Sequence, residues 1–194
     1  MILDIVKLGE ESLRQPSIPV AEVNDEIKQL AEDMFDTMIE ADGVGLAAPQ
    51  IGKNIRMFVL IADDDVRRVF INPQIIKTSE ETGPYDEGCL SIPQVYETIE
   101  RPLRVTVQAI NEKGKAFTLD ADGLLARIIQ HENDHLDGVV FIDRGDEGFA
   151  KKTEEQFKKR AERAAEKAKE KAAKQARIAA KIAAKEAKKN KKSF

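Results

Sequence analysis

The sequence predicts an α+β fold with antiparallel strand pairing and a long helix at its C-terminal end. Three observations carry this reading. Strand-like segments follow one another through the middle of the chain, without the strand–helix alternation that a parallel sheet requires. Two segments of helical apolar spacing flank them. After Gly148 the composition turns to Ala, Lys and Glu with no further Gly or Pro.

Taken in order, Ile27, Leu30, Ala31, Met34, Phe35 and Met38 recur at helical spacing. Asn24 or Asp25 is placed to cap the start, and Gly43 to end it. Residues 56–62 and 69–76 are β-branched and apolar-rich, which predicts two strands. Residues 103–110 and 116–119 flank an Asn-Glu-Lys-Gly turn signal, which predicts a hairpin. A second helix is expected from a cap at Asp122 to a stop at Gly138, because Leu124, Leu125, Ile128, Ile129, Glu132, His135 and Leu136 mark one broad face. The tail predicts a long helix supported by Glu154 with Lys158, Glu155 with Lys159 and Glu170 with Lys174. Phe157 is followed by no large apolar residue until Ile178 and Ile182, so most of this helix has nothing to bury. The expected division is a chemical body over residues 1–147 and an extension over 148–194.

Composition narrows the function classes. No apolar run approaches the ~18 residues of a membrane span, and the N-terminal run carries an acid with no base ahead of it, unlike a secretory signal. A single cysteine, Cys89, cannot form an internal disulfide. Cytoplasm is therefore the expected compartment. Charge is divided unevenly: from Lys151 onward there are 17 Lys or Arg against 6 Glu, leaving 14 bases and 29 acids before it. A body of net −15 thus carries a tail of net +11.

The chain has two histidines, His131 and His135, within His-Glu-Asn-Asp-His on the second predicted helix. Four residues apart, the imidazoles project from one face and can share a metal ion, while Glu132 can handle a proton of bound water. A catalytic site needs a third protein ligand and an open position. Downstream, Asp137, Asp143, Asp146 and Glu147 are available. Upstream, Cys89 in Glu-Gly-Cys-Leu-Ser is available, although a lone thiol is more often an inert small hydrophobe. Gly43-Val44-Gly45-Leu46-Ala47-Ala48-Pro49-Gln50 matches G-x-G-x-x-A, but it follows a helix and places Pro49 where a phosphate-binding helix should consolidate. Dinucleotide binding is rejected on that ground.

Three segments, residues 43–50, 87–91 and 130–138, resemble in order and spacing the three motifs of bacterial peptide deformylases. The likeness extends to Ile2-Leu3 and Leu13-Arg14 and covers residues 1 to about 147. It implies antiparallel sheets packed around a central helix carrying the H-E-x-x-H motif, and hydrolysis of the N-formyl group from the initiator methionine of nascent polypeptides, releasing formate. It further implies Cys89, His131 and His135 as ligands of one divalent ion, natively Fe2+, with Zn2+, Ni2+ or Co2+ able to replace it. Such an ion would lower the pKa of a bound water to the order of 7. Glu132 would move the water proton to the leaving amine. Gln50 and the Leu90 N–H would donate to the developing oxyanion. Val44, Gly45 and Gly88 would offer backbone groups to an extended peptide, and Leu124 and Ile128 would wall the methionine pocket. Arg127 stands where the family tends to have an apolar pocket residue. Glu87 and Arg101 are placed to form a supporting ion pair. The basic tail would dock on the ribosome, and the enzyme would act as a monomer. Two competing readings remain: an H-E-x-x-H endopeptidase with a downstream ligand, and a structural metal site in an RNA-binding protein.

Overall fold

The computed structural model describes residues 1–190, with the side chains of residue 178 and residues 180–190 outside the description. The expected apolar positions Ile178 and Ile182 lie among those undescribed side chains. The elements are α1 (Asp25–Glu40), β1 (Gly45–Ala47), β2 (Met57–Ile61), β3 (Arg67–Thr78), β4 (Thr82–Cys89), β5 (Ile92–Pro102), β6 (Arg104–Ile110), β7 (Ala116–Asp122), α2 (Gly123–Leu136) and α3 (Glu147–Asn190). Short 3-10 turns cover Glu11–Leu13, Ala48–Ile51 and Phe141–Arg144. Two compact units emerge, one of Met1–Lys152 and one from Thr153 onward.

In the first unit, a five-stranded antiparallel sheet of order β1-β2-β3-β6-β7 is covered on one face along its length and on the other over β1, β2 and β3. Side chains alternate across a strand, so β1, β2 and β3 each contribute to two cores. Leu46, Met57, Val59, Val69 and Ile71 pack with Ala31, Met34, Phe35 and Met38 of α1. On the opposite face Ala47, Phe58, Leu60, Phe70, Val105 and Val107 pack with Ala126, Ile128, Ile129 and Leu136 of α2. This double coverage explains why β2 reads as a continuous apolar run: four of its five residues are buried. Phe58 and Phe70 are directly opposed across the β2–β3 ladder, with ring centroids 4.7 Å apart. Each fully buried ring is worth roughly 1.5–3 kcal/mol of apolar burial.

β4 and β5 form a second, separate two-stranded sheet. The sequence pattern did not announce this hairpin, nor the short β1. The expected Asn24 cap is present, its side chain accepting from the Ile27 N–H at 3.0 Å. The expected stop at Gly43 is displaced: α1 ends at Glu40, and the left-handed residue is Asp42 at φ 54°, after which the Gly43 N–H still bonds the Met38 carbonyl. Asp122 occupies the start of α2 without a side-chain cap bond. At the other end Gly138 has φ 74°, and a Cβ there would lie 2.7 Å from the Arg14 carbonyl oxygen, so glycine is required on both counts.

In the second unit the side chains of residues 158–177 are exposed. The expected Glu155–Lys159 pair forms at 2.9 Å. This is an i,i+4 surface pair worth about 0.3–0.5 kcal/mol.

Candidate active site

The packing of α2 decides which residues face away from the sheet. Ala126, Ile129 and Leu136 are committed to the core, so His131 and His135 emerge one turn apart, with ring centroids 5.2 Å apart in an edge-to-face arrangement. The last residue of β4 brings Cys89 to them. The Cys89 Sγ lies 3.3 Å from His135 Nε2, and ligand atoms of Cys89, His131 and His135 all lie within 4.8 Å of one another. Among the described residues this is the group able to hold a metal ion. Bond lengths of roughly 2.0–2.3 Å about a tetrahedral ion put neighbouring donors on the order of 3.5 Å apart, and one thiolate with two imidazoles is a donor set suited to zinc or iron. The residues fit. The downstream acids are engaged elsewhere: Asp137 with Arg56 at 2.6 Å, Asp143 with Arg14, the Asp146 carboxylate with the Phe149 N–H and Glu147 with Lys151.

The two imidazoles are oriented differently. Glu87 accepts from His131 Nδ1 at 2.9 Å, which leaves Nε2 as the nitrogen that would bind an ion. His135 Nδ1 is buried without a hydrogen-bond partner. Glu87 in turn accepts from the Arg101 Nε at 2.7 Å and Nη2 at 3.0 Å, so the expected ion pair exists and is buried. Burial works to raise the Glu87 carboxyl, but hydrogen bonds from His131 and Arg101 and the Arg101 charge outweigh it and hold the group down at about 2. Arg101 also donates to Asp134 at 2.7 Å, and Arg144 donates twice to the same carboxylate. Sequence reasoning missed Asp134; its position three residues after His131, on the same side of the helix, was the available signal.

Glu132 is buried, and its Oε2 has no hydrogen-bond partner. A Cβ added to Gly45 would lie 2.3 Å from Glu132 Oε1, so a side chain at this position of β1 would displace the carboxylate. Burial pushes the Glu132 carboxyl up to about 7, with the Glu87 charge adding to the rise and His131 and Arg101 opposing it. A group poised near neutrality can both take and give a proton. Gln50 sits in the 3-10 turn after β1. Its Oε1 accepts from the Ala47 N–H at 2.8 Å, which fixes the amide orientation and points Nε2 at Cys89 Sγ (3.4 Å) and Ser91 Oγ (3.3 Å).

A cleft of about 600 Å³ opens over these groups, lined by Val44, Gly45, Gly88, Leu90, Leu124 and Ile128, and also by Lys7, Tyr85, Tyr96 and Arg127. Tyr96 lies so close over Gly88 that a Cβ there would meet its ring at 2.7 Å. The guanidinium of Arg127 is fully engaged at the cleft wall: it donates to Glu87, to the Ile99 carbonyl and to the Gly83 carbonyl.

Residues 2–154 match the family model described as polypeptide deformylase. The chain belongs to the polypeptide deformylase family. It is 52% identical over 145 residues to the peptide deformylase of Treponema pallidum (strain Nichols), covering 75% of this chain and 89% of that protein. It is 51% identical over 144 residues to that of Acinetobacter baumannii (strain SDF), covering 73% and 82%. Among solved structures, a peptide deformylase from Synechococcus elongatus in complex with actinonin superposes with a TM-score of 0.73 at 47% identity, over 76% of this chain and 81% of that one. That of Ehrlichia chaffeensis gives 0.79 at 34% identity, over 83% and 97%. As a deformylase the chain is an enzyme that removes the N-terminal formyl group of nascent polypeptides, and the family is one of metalloenzymes. Among the described residues no helix is long and apolar enough to cross a membrane.

Proposed function

We propose that deformylation is carried out by the Cys89–His131–His135 cluster with Glu132 as proton carrier. The observation that supports this most is the convergence of three metal-competent donors beside a buried carboxylate held near neutrality. When bound, a divalent ion there supplies Lewis acidity toward water and the formyl oxygen. We assign Fe2+ as the native ion, with Zn2+, Ni2+ or Co2+ as replacements, from the soft donor set and the family resemblance.

Glu132 accepts the proton of the attacking water and passes it to the nitrogen of the leaving amine. The Gln50 Nε2, whose direction is set by Ala47, and the Leu90 N–H donate to the formyl oxygen as it gains negative charge. Val44, Gly45 and Gly88 bind the peptide backbone, so that the sequence after the first residue is left unread. Leu124 and Ile128 receive the methionine side chain. The compact first unit is the catalytic body. The basic extension from residue 148 onward docks on ribosomal RNA, in the cytoplasm, the enzyme acting as a monomer; its support is the tail's net +11 against a body of net −15.

The test separates ligand from base in protein prepared without oxygen. E132A is expected to retain one ion per chain and lose activity on a formyl-Met-Ala-Ser peptide by about 10²–10⁴. C89A is expected to lose the ion itself. Equal metal loss in both variants overturns the division of roles.

A further inference from the structure

The thiolate and the imidazoles come from different parts of the body. His131 and His135 ride on α2, which is packed on the five-stranded sheet. Cys89 ends β4, in the two-stranded sheet that shares no ladder with the other. The distance from thiol to imidazole therefore depends in part on side-chain links between α2 and the β4–β5 hairpin, beside the bonds that tie the hairpin's turn to the rest of the body, from the Leu8 N–H to the Ser91 carbonyl at 3.0 Å and from Gln50 Nε2 to Ser91 Oγ at 3.3 Å.

One side chain spans both strands of that hairpin from α2. Arg127, one turn before His131, is buried, and its Nη1 donates to Glu87 Oε1 and to the Ile99 carbonyl, both at 3.0 Å. Its Nη2 donates to the Gly83 carbonyl at 2.8 Å. Gly83 and Glu87 belong to β4, Ile99 to β5, and Glu87 is two residues from Cys89. The guanidinium also lies 5.6 Å from the Tyr85 ring centroid on β4. A planar fork can serve three acceptors at fixed angles; a lysine ammonium on a shorter reach cannot reproduce that pattern. Without it, two strand carbonyls and a carboxylate oxygen lose a buried donor.

We propose that Arg127 is a positioning residue that clamps the β4–β5 hairpin to α2 and thereby holds Cys89 against the two imidazoles. This rests on the reading of Cys89, His131 and His135 as ligands. Its action is on retention of the ion, through the hairpin. It is distinct from the wall that the same side chain contributes to the cleft. A wall alone affects peptide affinity; a clamp affects how fast the metal leaves.

The experiment uses the full chain loaded with Co2+, challenged with excess chelator, and followed by the thiolate-to-cobalt absorption band. R127M is expected to release cobalt about 10–100-fold faster than the unaltered protein, the usual effect of losing a residue that supports a ligand, with R127K between them. At saturating cobalt the band is expected to return to full intensity in both variants. Release within twofold of the unaltered protein, accompanied by a changed KM for formyl peptides, overturns the clamp and leaves only a wall. If metal-free R127M is unfolded by circular dichroism, R127K carries the test, and release from it at the unaltered rate overturns the proposal. A band absent from the unaltered protein, or persisting in C89A, refutes the ligand reading instead, and the clamp with it.

Discussion

The two halves that meet at Cys89, His131 and His135 are held by different physics. The α2 half is fastened by apolar packing: Ala126, Ile128, Ile129 and Leu136 close on a sheet face of Phe58, Leu60, Phe70, Val105 and Val107. The hairpin half is fastened to it by ions and hydrogen bonds, through Arg101 to Asp134, Arg127 to Glu87 and two strand carbonyls, Glu87 to His131, and Gln130 to the Pro102 carbonyl. Apolar packing has no protons to lose and is insensitive to pH, whereas a buried ionic network fails as soon as one member is neutralised or removed. The contrast predicts that the histidines stay placed under conditions that displace Cys89.

Breaking the packed half should have the largest effect on stability. Phe58→Ala removes a ring stacked on Phe70 and leaves a cavity between sheet and α2. The expected cost is about 3–5 kcal/mol by chemical denaturation, with one ion per chain retained by the molecules that remain folded. A cost below about 1 kcal/mol would show that α2 is not held by this core.

Acid should act on the other half. Glu87 is near 4.5 when unfolded and about 2 when folded, so its contribution is complete above about pH 4.5 and is lost as pH falls toward 2. The loss is up to about 3 kcal/mol, and it should be reported first by hydrogen exchange in β4 and β5, ahead of α2. In Glu87→Gln the dependence over that window should flatten. An unchanged acid profile in this variant would remove Glu87 from the network that matters.

These halves were not equally legible in the sequence. α2 announced itself because its apolar positions recur at helical spacing and its two histidines are i,i+4. The hairpin did not, since β4 reads Thr-Gly-Pro-Tyr-Asp-Glu-Gly-Cys, with Pro84 and two glycines that argue against a strand, and its stabilising partners lie on another element. The destination of Arg127 was unreadable for a related reason: its acceptors include backbone carbonyls 28 and 44 residues away, and backbone carbonyls carry no sequence signature. The left-handed residue that follows α1 is Asp42 instead of Gly43 because aspartate also tolerates that conformation. The convergence of His131 and His135 on one side of α2 was legible in their spacing, whereas the closeness of Gly45 to Glu132 needed the fold.

The smallest effect on catalysis is expected from the basic extension, where exposed side chains contribute surface charge. Removing residues 158–194 should leave turnover of short formyl peptides within about twofold. Binding to ribosomes should weaken, and that of the intact chain should fall steeply as salt rises. Equal ribosome binding by the shortened chain would refute the docking role.

The most direct measurement is anomalous diffraction from crystals grown with Co2+ or Zn2+, phased to locate the ion without reference to the chemistry assumed. One peak is expected per chain, within about 2.0–2.3 Å of Cys89 Sγ and of one nitrogen each of His131 and His135, with Glu132 unbonded to it. A peak coordinated by Glu132, or one that leaves Cys89 out of bonding distance, contradicts the assignment of ligands and base.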